Sequence, residues 1–355
     1  MNKTKNIVIA AFAAVFLSGC SLVSGGSDGG FFRSDDGGKT FSQKVNSEQN
    51  GKKGSIGGVD VLSIAVNPQN GNEVYIGTKA SGIFKTVDAG EKWQPLNTSQ
   101  TMAEKTYSMA IDPLNPSSAY ATAVIDGRAK IIKSDDAGGT WKEIYAEPSG
   151  GSIVLSLALN PKNSQEIFAG TDQGQIIFSE NGGETWRHLF WTESKKAIYR
   201  IAVDYANPQI AYFAIFQDGI IRTKDGGKTF EKLGNNLPVD KKNLMDNPTV
   251  LTVDKNRPGW IYAGTSEGLI RSKDNGDSWD LLRILNKPQE QAIRSVSINP
   301  QNSDEMIFSV SQAFYKSNDG GLSWMTVQFN TNRTLEVVAY NQQKPEMIFA
   351  GMNNR

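Results

Sequence analysis

Seven acidic octapeptides are the first place where this sequence suggests chemistry. Their pattern is Ser/Thr-x-Asp-x-Gly-x-Thr/Ser-aromatic, and the copies begin at Ser34, Thr86, Ser134, Ser179, Thr223, Ser272 and Ser317. The third position holds Asp36, Asp88, Asp136, Asn181, Asp225, Asp274 and Asp319. A carboxylate repeated this often would suit general acid–base catalysis or a metal array. Either use needs the groups to converge, yet successive copies begin 44 to 52 residues apart, each in its own repeat. The box therefore reads as a turn. Its Asp or Asn accepts from backbone N–H groups about two residues on. The Gly at the fifth position permits positive φ. The closing Trp or Phe packs on the sheet.

A second set of acids is more dispersed: Asp60, Asp126, Asp172, Asp218, Glu267 and Glu336. A glycosidase needs two carboxyls roughly 5–10 Å apart across a sugar, one of them with a raised pKa. Asp126, Asp172, Asp218 and Glu267 lie at or beside Gly in turns, where turn chemistry already accounts for them. Arg200, Arg294 and Arg333, with Tyr107, Tyr199 and Trp191 near in register, form the candidate binding set. Converging guanidinium groups would bind a carboxylate or an acidic partner surface bidentately. His188 is the single histidine, so no His-based triad is evident. No P-loop, dinucleotide fingerprint or EF-hand loop occurs, so no cofactor and no metal are expected. Lys and Arg number 37 against 37 Asp and Glu, a balance that gives no field for nucleic acid.

The elements that position these residues repeat too. Upstream of each box runs an apolar stretch, a turn rich in Asn, Pro and Gly, and a second stretch ending near Ala-Gly-Thr, as in residues 61–78, 154–171 and 250–265. β-Branched content and Asn-Pro punctuation make these strand, turn, strand. A third strand leads into the box, and a fourth follows it. Four short antiparallel strands per repeat predict an all-β, seven-bladed β-propeller. The ends carry the ring-closing expectation. GGFFRSDDGGKTF at residues 29–41 supplies a third strand, a box and a fourth strand, and residues 335–351 supply a first and a second. The two halves make one blade, which removes an open edge. Box turns and Asn-Pro turns then share one face. The variable connections, such as Ser42–Val59 and Glu231–Pro248, occupy the other, where binding sites usually sit. A basic residue precedes six boxes (Arg33, Lys85, Lys133, Arg222, Arg271 and Lys316, with Phe178 the exception) and reads as a property of the blade.

The octapeptide resembles the Asp-box, or bacterial neuraminidase, repeat. That resemblance covers nearly all of the chain beyond the amino-terminal segment, and implies a propeller like those of sialidases, xyloglucanases, sortilin-like receptors and photosystem II assembly factors. It does not choose a function among them. The xyloglucanase resemblance would want an Asp in the turn Gly77–Gly82, which has none, and the sialidase resemblance an Arg-Ile-Pro segment, which is absent. The residues favour a scaffold that binds a protein partner or a polysaccharide through the loop-rich face over an enzyme. The competing reading is an extracellular glycoside hydrolase of xyloglucanase or sialidase type.

At the amino end, Lys3 and Lys5 precede an apolar run from Ile7 to Leu17 and then Leu17-Ser18-Gly19-Cys20. The run is short for a bilayer span, so a signal peptide is expected. Leu-Ser-Gly-Cys resembles the bacterial lipoprotein box. It implies a signal peptide over residues 1–19, lipidation at Cys20, a tether through residue 29 and a propeller over residues 30–355. The expected place is the cell envelope, lipid-anchored and facing the periplasm or the exterior. With the tether leaving from the loop-rich face, that face should lie toward the membrane. Photo-cross-linkers at loop positions such as Trp191 are expected to label lipid headgroups, and labelling confined to the box turns would refute this orientation.

Overall fold

The computed structural model describes residues 28–96, 104–234, 245, 247–265, 267–284 and 291–354. Residues 1–19, read above as a signal peptide, and Cys20 lie outside the described residues. The described chain forms seven four-stranded antiparallel sheets and one extra hairpin, with no α-helix. The innermost strands, which number the blades from first to seventh, are Val61–Val66, Lys105–Ile111, Val154–Asn160, Ile198–Val203, Val250–Val253, Ile293–Ile298 and Thr334–Tyr340. The seventh blade is composite. Its two inner strands, Thr334–Tyr340 and Ile348–Asn353, are completed by Phe31–Ser34 and Ser42–Gln43 from the other end of the chain. Phe31 to Ser34 pair in register with Gly351 to Ile348.

Apolar side chains on the sheets gather into seven clusters, one between each pair of neighbouring blades. Between the seventh and first blades, Phe31 meets Trp93 edge-on, with ring centroids 4.7 Å apart, and Trp93 is fully buried. Glycine in the second strand lets the blades close up. A Cβ on Gly351 would stand 2.6 Å from Val61 of the next blade, and one on Gly264 2.8 Å from Ile293.

Each box is wired alike, though its hydrogen bonds reach further than a two-residue loop. In the sixth blade the octapeptide from Ser317 is representative: Ser317 Oγ accepts from Gly321 N–H at 2.8 Å, and Asp319 Oδ1 accepts from Ser323 N–H at 2.9 Å. The fifth residue has φ between +88° and +95° in every box, as glycine allows. The fourth residue is left-handed too, even as Ala89, Ala137 or Asn275. That conformation aims its N–H at its own blade and its carbonyl outward. The N–H donates to the first-to-second-strand turn in all seven blades, for example Ala89 to Asn72 O at 2.8 Å. The carbonyl accepts from the basic residue of the preceding blade in five. Arg33 reaches Ala89 at 2.9 Å, Lys85 reaches Ala137 at 2.8 Å, Arg271 reaches Gly320 at 2.9 Å, Lys316 reaches Gly37 at 3.2 Å, and Arg222 reaches Asn275. The pre-box cations are thus stitches between blades. Lys133 instead pairs with Asp135.

The first-to-second-strand turns are also uniform. Asn67, Asp112, Asn160, Asp204, Asp254, Asn299 and Asn341 each accept from the N–H two residues on at 2.8–3.0 Å. The residue in that N–H position then reaches the next blade's turn carbonyl in five cases, among them Gln343 to Pro68 at 2.6 Å, which closes the ring on this face.

Two expectations about the connections need correcting. The stretches read as loops begin with the outermost strands, such as Glu231–Lys232, because these strands are short and exposed and carry no apolar signature. Ser42–Val59 is no free loop either. Asn46–Gln49 and Lys52–Ser55 form a hairpin that lies beside the outer edge of the first blade, with Trp93 N–H donating to Asn46 O at 2.8 Å and Glu48 N–H to Trp93 O at 2.9 Å.

On the loop-rich face the ring is clasped by Arg333. Its Nη1 lies 2.6 Å from Asp60 Oδ1 and its Nε 3.3 Å from Asp28 Oδ1, while Asp60 Oδ1 also accepts from Asn354 N–H at 2.8 Å. Arg333→Met is expected to lower the unfolding free energy by about 2 kcal/mol, the scale of a hydrogen bond to a charged group. An unchanged urea midpoint would exclude the clasp from ring stability. The boxes predict acid sensitivity. Thr229 and Ser323, through hydroxyl and N–H, hold Asp225 and Asp319 at about 2, below the ordinary 3.8. The unfolded chain takes up these protons first, so their contribution is complete above about pH 4 and is lost as pH falls through about 2. Replacing both with Asn should flatten stability across that window in acid-unfolding curves. Asn181 shows that the turn accepts the amide, with Thr185 N–H still donating to Oδ1 at 2.9 Å.

Candidate functional site

The innermost strands surround an axial channel, and at its loop-rich mouth six of them carry the same irregularity. Pairing skips one residue near the strand start, leaving Leu62, Tyr107, Leu155, Tyr199, Arg294 and Glu336 bulged out of the ladder. A bulge re-aims side chains and often borders a site. Four of the six are the Tyr, Arg and Glu residues that sequence reasoning had singled out for other reasons. The bulge itself has no sequence signal, since it shows only when two strands are paired.

Arg200 follows directly on the bulged Tyr199. Its Nη1 donates to Tyr199 O at 2.9 Å, and the side chain is half-buried. Burial weakens its hold on the proton, and Glu336, from the seventh blade, acts in the opposite sense. A guanidinium remains charged under such a shift, so the mouth carries a cation in a confined space. Arg294 Nε is buried without a hydrogen-bond partner, and neither Arg200 nor Arg294 forms an ion pair with a described residue. Tyr107 is pushed upward by burial, with Asp172 adding to the effect. The Tyr199 ring lies 5.4 Å from that of Phe216.

Two members of the candidate set fall elsewhere. Arg333 has its guanidinium engaged by Asp28 and Asp60, so it serves closure. Trp191 ends an outermost strand, half exposed, and stacks on His188 with ring centroids 6.1 Å apart, so it belongs to the rim rather than the channel. Its sequence distance from Tyr199 is small, but a whole blade's width separates an outermost strand from the next innermost one.

The acids of this face are mostly held by local donors. Asp172 accepts from Ile153 N–H at 2.8 Å, and Asp126 sits in a turn at φ +52°. Asp218 lies 2.6 Å from Lys232 Nζ. Burial works to raise its pKa, but hydrogen bonds from Lys232 and Ser194 and the charges of Lys232 and Lys196 together outweigh it and hold the group low, the reverse of what a general acid needs. Among the described residues no group of three His, Cys, Asp or Glu is placed to hold a metal ion.

Known proteins share this architecture. A family profile described as photosynthesis system II assembly factor YCF48 matches residues 190–345. A xyloglucanase of Paenibacillus sp is 24% identical over 314 residues, covering 84% of this chain and 30% of the enzyme. The chain thus spans less than a third of that relative. Among solved structures, the GH74 enzyme of Niastella koreensis superposes with a TM-score of 0.67 at 19% identity, over 83% of this chain and 51% of that one. YCF48 bound to D1 peptide superposes with a TM-score of 0.62 at 12% identity, over 83% of this chain and 93% of that one. At such identities the likeness speaks for the fold alone. The chain is a seven-bladed β-propeller similar to those of the GH74 xyloglucanases and of the YCF48 assembly factor.

Proposed function

We propose that this protein is a membrane-anchored, extracytoplasmic propeller scaffold that binds a protein partner through the loop-rich face, seating an acidic or carboxylate-bearing segment at the channel mouth. The observation that carries this reading is the pair Arg200 and Arg294, which stand in a partly desolvated mouth without ion-pair partners among the described residues. Guanidinium groups in such a place favour a bidentate carboxylate, and Tyr107 and Tyr199 offer flat apolar surface beside them. The solved YCF48 complex, in which a propeller similar to this one holds a peptide, supports the same reading. Lipidation at Cys20 would anchor the scaffold at the envelope surface.

A second reading, a polysaccharide hydrolase, draws on the xyloglucanase relatives. Glu336 is the acid that projects from a bulge at the mouth, so it is the residue to test. Two assays separate the readings. Affinity capture from detergent-solubilised membranes, compared between wild type and an Arg200→Glu/Arg294→Glu variant, is expected to recover a stoichiometric partner with wild type only. The binding should weaken about tenfold or more in the variant and fall with salt. Equal capture by both proteins would remove the arginines from the interface. Turnover of xyloglucan or sialosides that is abolished by Glu336→Gln would favour the hydrolase instead.

A further inference from the structure

The other end of the channel, on the box face, is built differently. Each innermost strand ends there in its Asx turn, and the residue after the Asn or Asp stands at the rim. Around the ring these residues are Pro68, Pro113, Pro161, Tyr205, Lys255, Pro300 and Gln342. Proline makes the turn in four blades, and in every blade the turn's hydrogen bond comes from the following residue. The turn therefore does not require Tyr205, Lys255 or Gln342, and such departures from a repeat mark a use beyond the scaffold.

These departures border a cavity. A space of about 340 Å³ occupies this end of the axis, lined by the inner strands at Val66, Leu159, Ile201, Leu251 and Val253 and by Tyr205 and Gln342, with more polar than apolar surface facing it. That volume falls within the range of small-molecule pockets. Lys255 bridges toward the cavity from the rim, its Nζ donating to Gln342 Oε1 at 3.3 Å. Its nearest acid, Asp254, is already occupied, accepting from Asn256 N–H at 2.9 Å and from the Ser303 hydroxyl at 2.8 Å. Lys255 makes no ion pair among the described residues. Lys255 is exposed as a whole, and its partial burial draws its pKa down, opposed in part by Asp254. No described residue hydrogen-bonds the Tyr205 hydroxyl.

We infer that the box-face end of the channel is a binding site for a small carboxylate, its short chain in the cavity and its carboxylate on Lys255, with Tyr205 and Gln342 as further polar contacts. The site is separate from the loop-rich mouth, and it stands or falls independently of the partner-binding reading.

Hexanoate and hexan-1-ol, titrated into the full chain by calorimetry with ligand-observed NMR as a second readout, test this. Hexanoate is expected to bind and hexanol to bind about tenfold more weakly, the difference a charge-assisted hydrogen bond makes. Lys255→Gln should weaken hexanoate by a similar factor and leave hexanol unchanged. Tyr205→Pro, a residue that four sister turns already hold, should weaken both ligands without lowering Tm. Three results would overturn the inference: no hexanoate binding, equal affinity for acid and alcohol, or hexanoate binding that survives Lys255→Gln and is lost on Arg200→Gln, which would place the anion at the opposite mouth.

Discussion

Everything in this molecule depends on four residues finding a partner strand at the far end of the chain. Phe31–Ser34 pairs with Ile348–Asn353, and that pairing completes the blade on which the ring closes. The energetic reason lies between the blades. Each of the seven hydrophobic clusters draws on two neighbours, so an open row of seven would keep six interfaces and expose two apolar flanks. Phe31, fully buried against Trp93 and Phe349, is the side chain through which the seventh blade joins the first. Closure also completes the seventh sheet, so that Ile348–Asn353 is not left as an open edge, which a sheet protein otherwise has to protect.

The two faces divide the remaining tasks. On the box face, a left-handed residue in each turn directs its N–H into its own blade and in five blades presents its carbonyl to the neighbour's cation, while the Asx turns hand hydrogen bonds around the axis. Such a face is stiff and periodic, and the few positions that break its period, Tyr205, Lys255 and Gln342, stand out against it. The loop-rich face has the reverse character. Its bulges repeat in six blades, yet the residues placed on them differ from Leu to Tyr to Arg to Glu, which gives the channel mouth a particular chemistry on a common frame.

Much of the fold was legible because its signals are local. An octapeptide with Asp, Gly and an aromatic at fixed places announces a turn wherever it falls, and counting the copies counts the blades. The split blade was legible by the same arithmetic, since the strands missing at one end appear at the other. The site was less so. Arg333 looked like a ligand-binding residue because its partners, Asp60 and Asp28, lie more than 270 positions away and only the closed ring brings them to it. Trp191 looked close to Tyr199 because distance along the chain ignores the radial order of strands in a blade. The Asn and Asp residues that open the inner turns passed as punctuation beside the prolines, although their carbonyl or carboxylate oxygens do the work of holding those turns. A marker was present there, an Asn or Asp at the end of all seven innermost strands.

The composite blade also sets a timetable. A growing chain can complete the first six blades as their sequences appear, but Phe31–Ser34, paired only with Ser42–Gln43, lacks its inner partner until residue 353 has been made, so an early strand waits for a much later one. Contacts of such long range are costly in chain entropy and slow to form. During that interval the flanks of the first and sixth blades stay uncovered, the state in which a β-rich chain is most prone to pair with its neighbours. A protein built in this way has its most vulnerable moment just before that later strand emerges, and closure marks the point from which it can be left unattended.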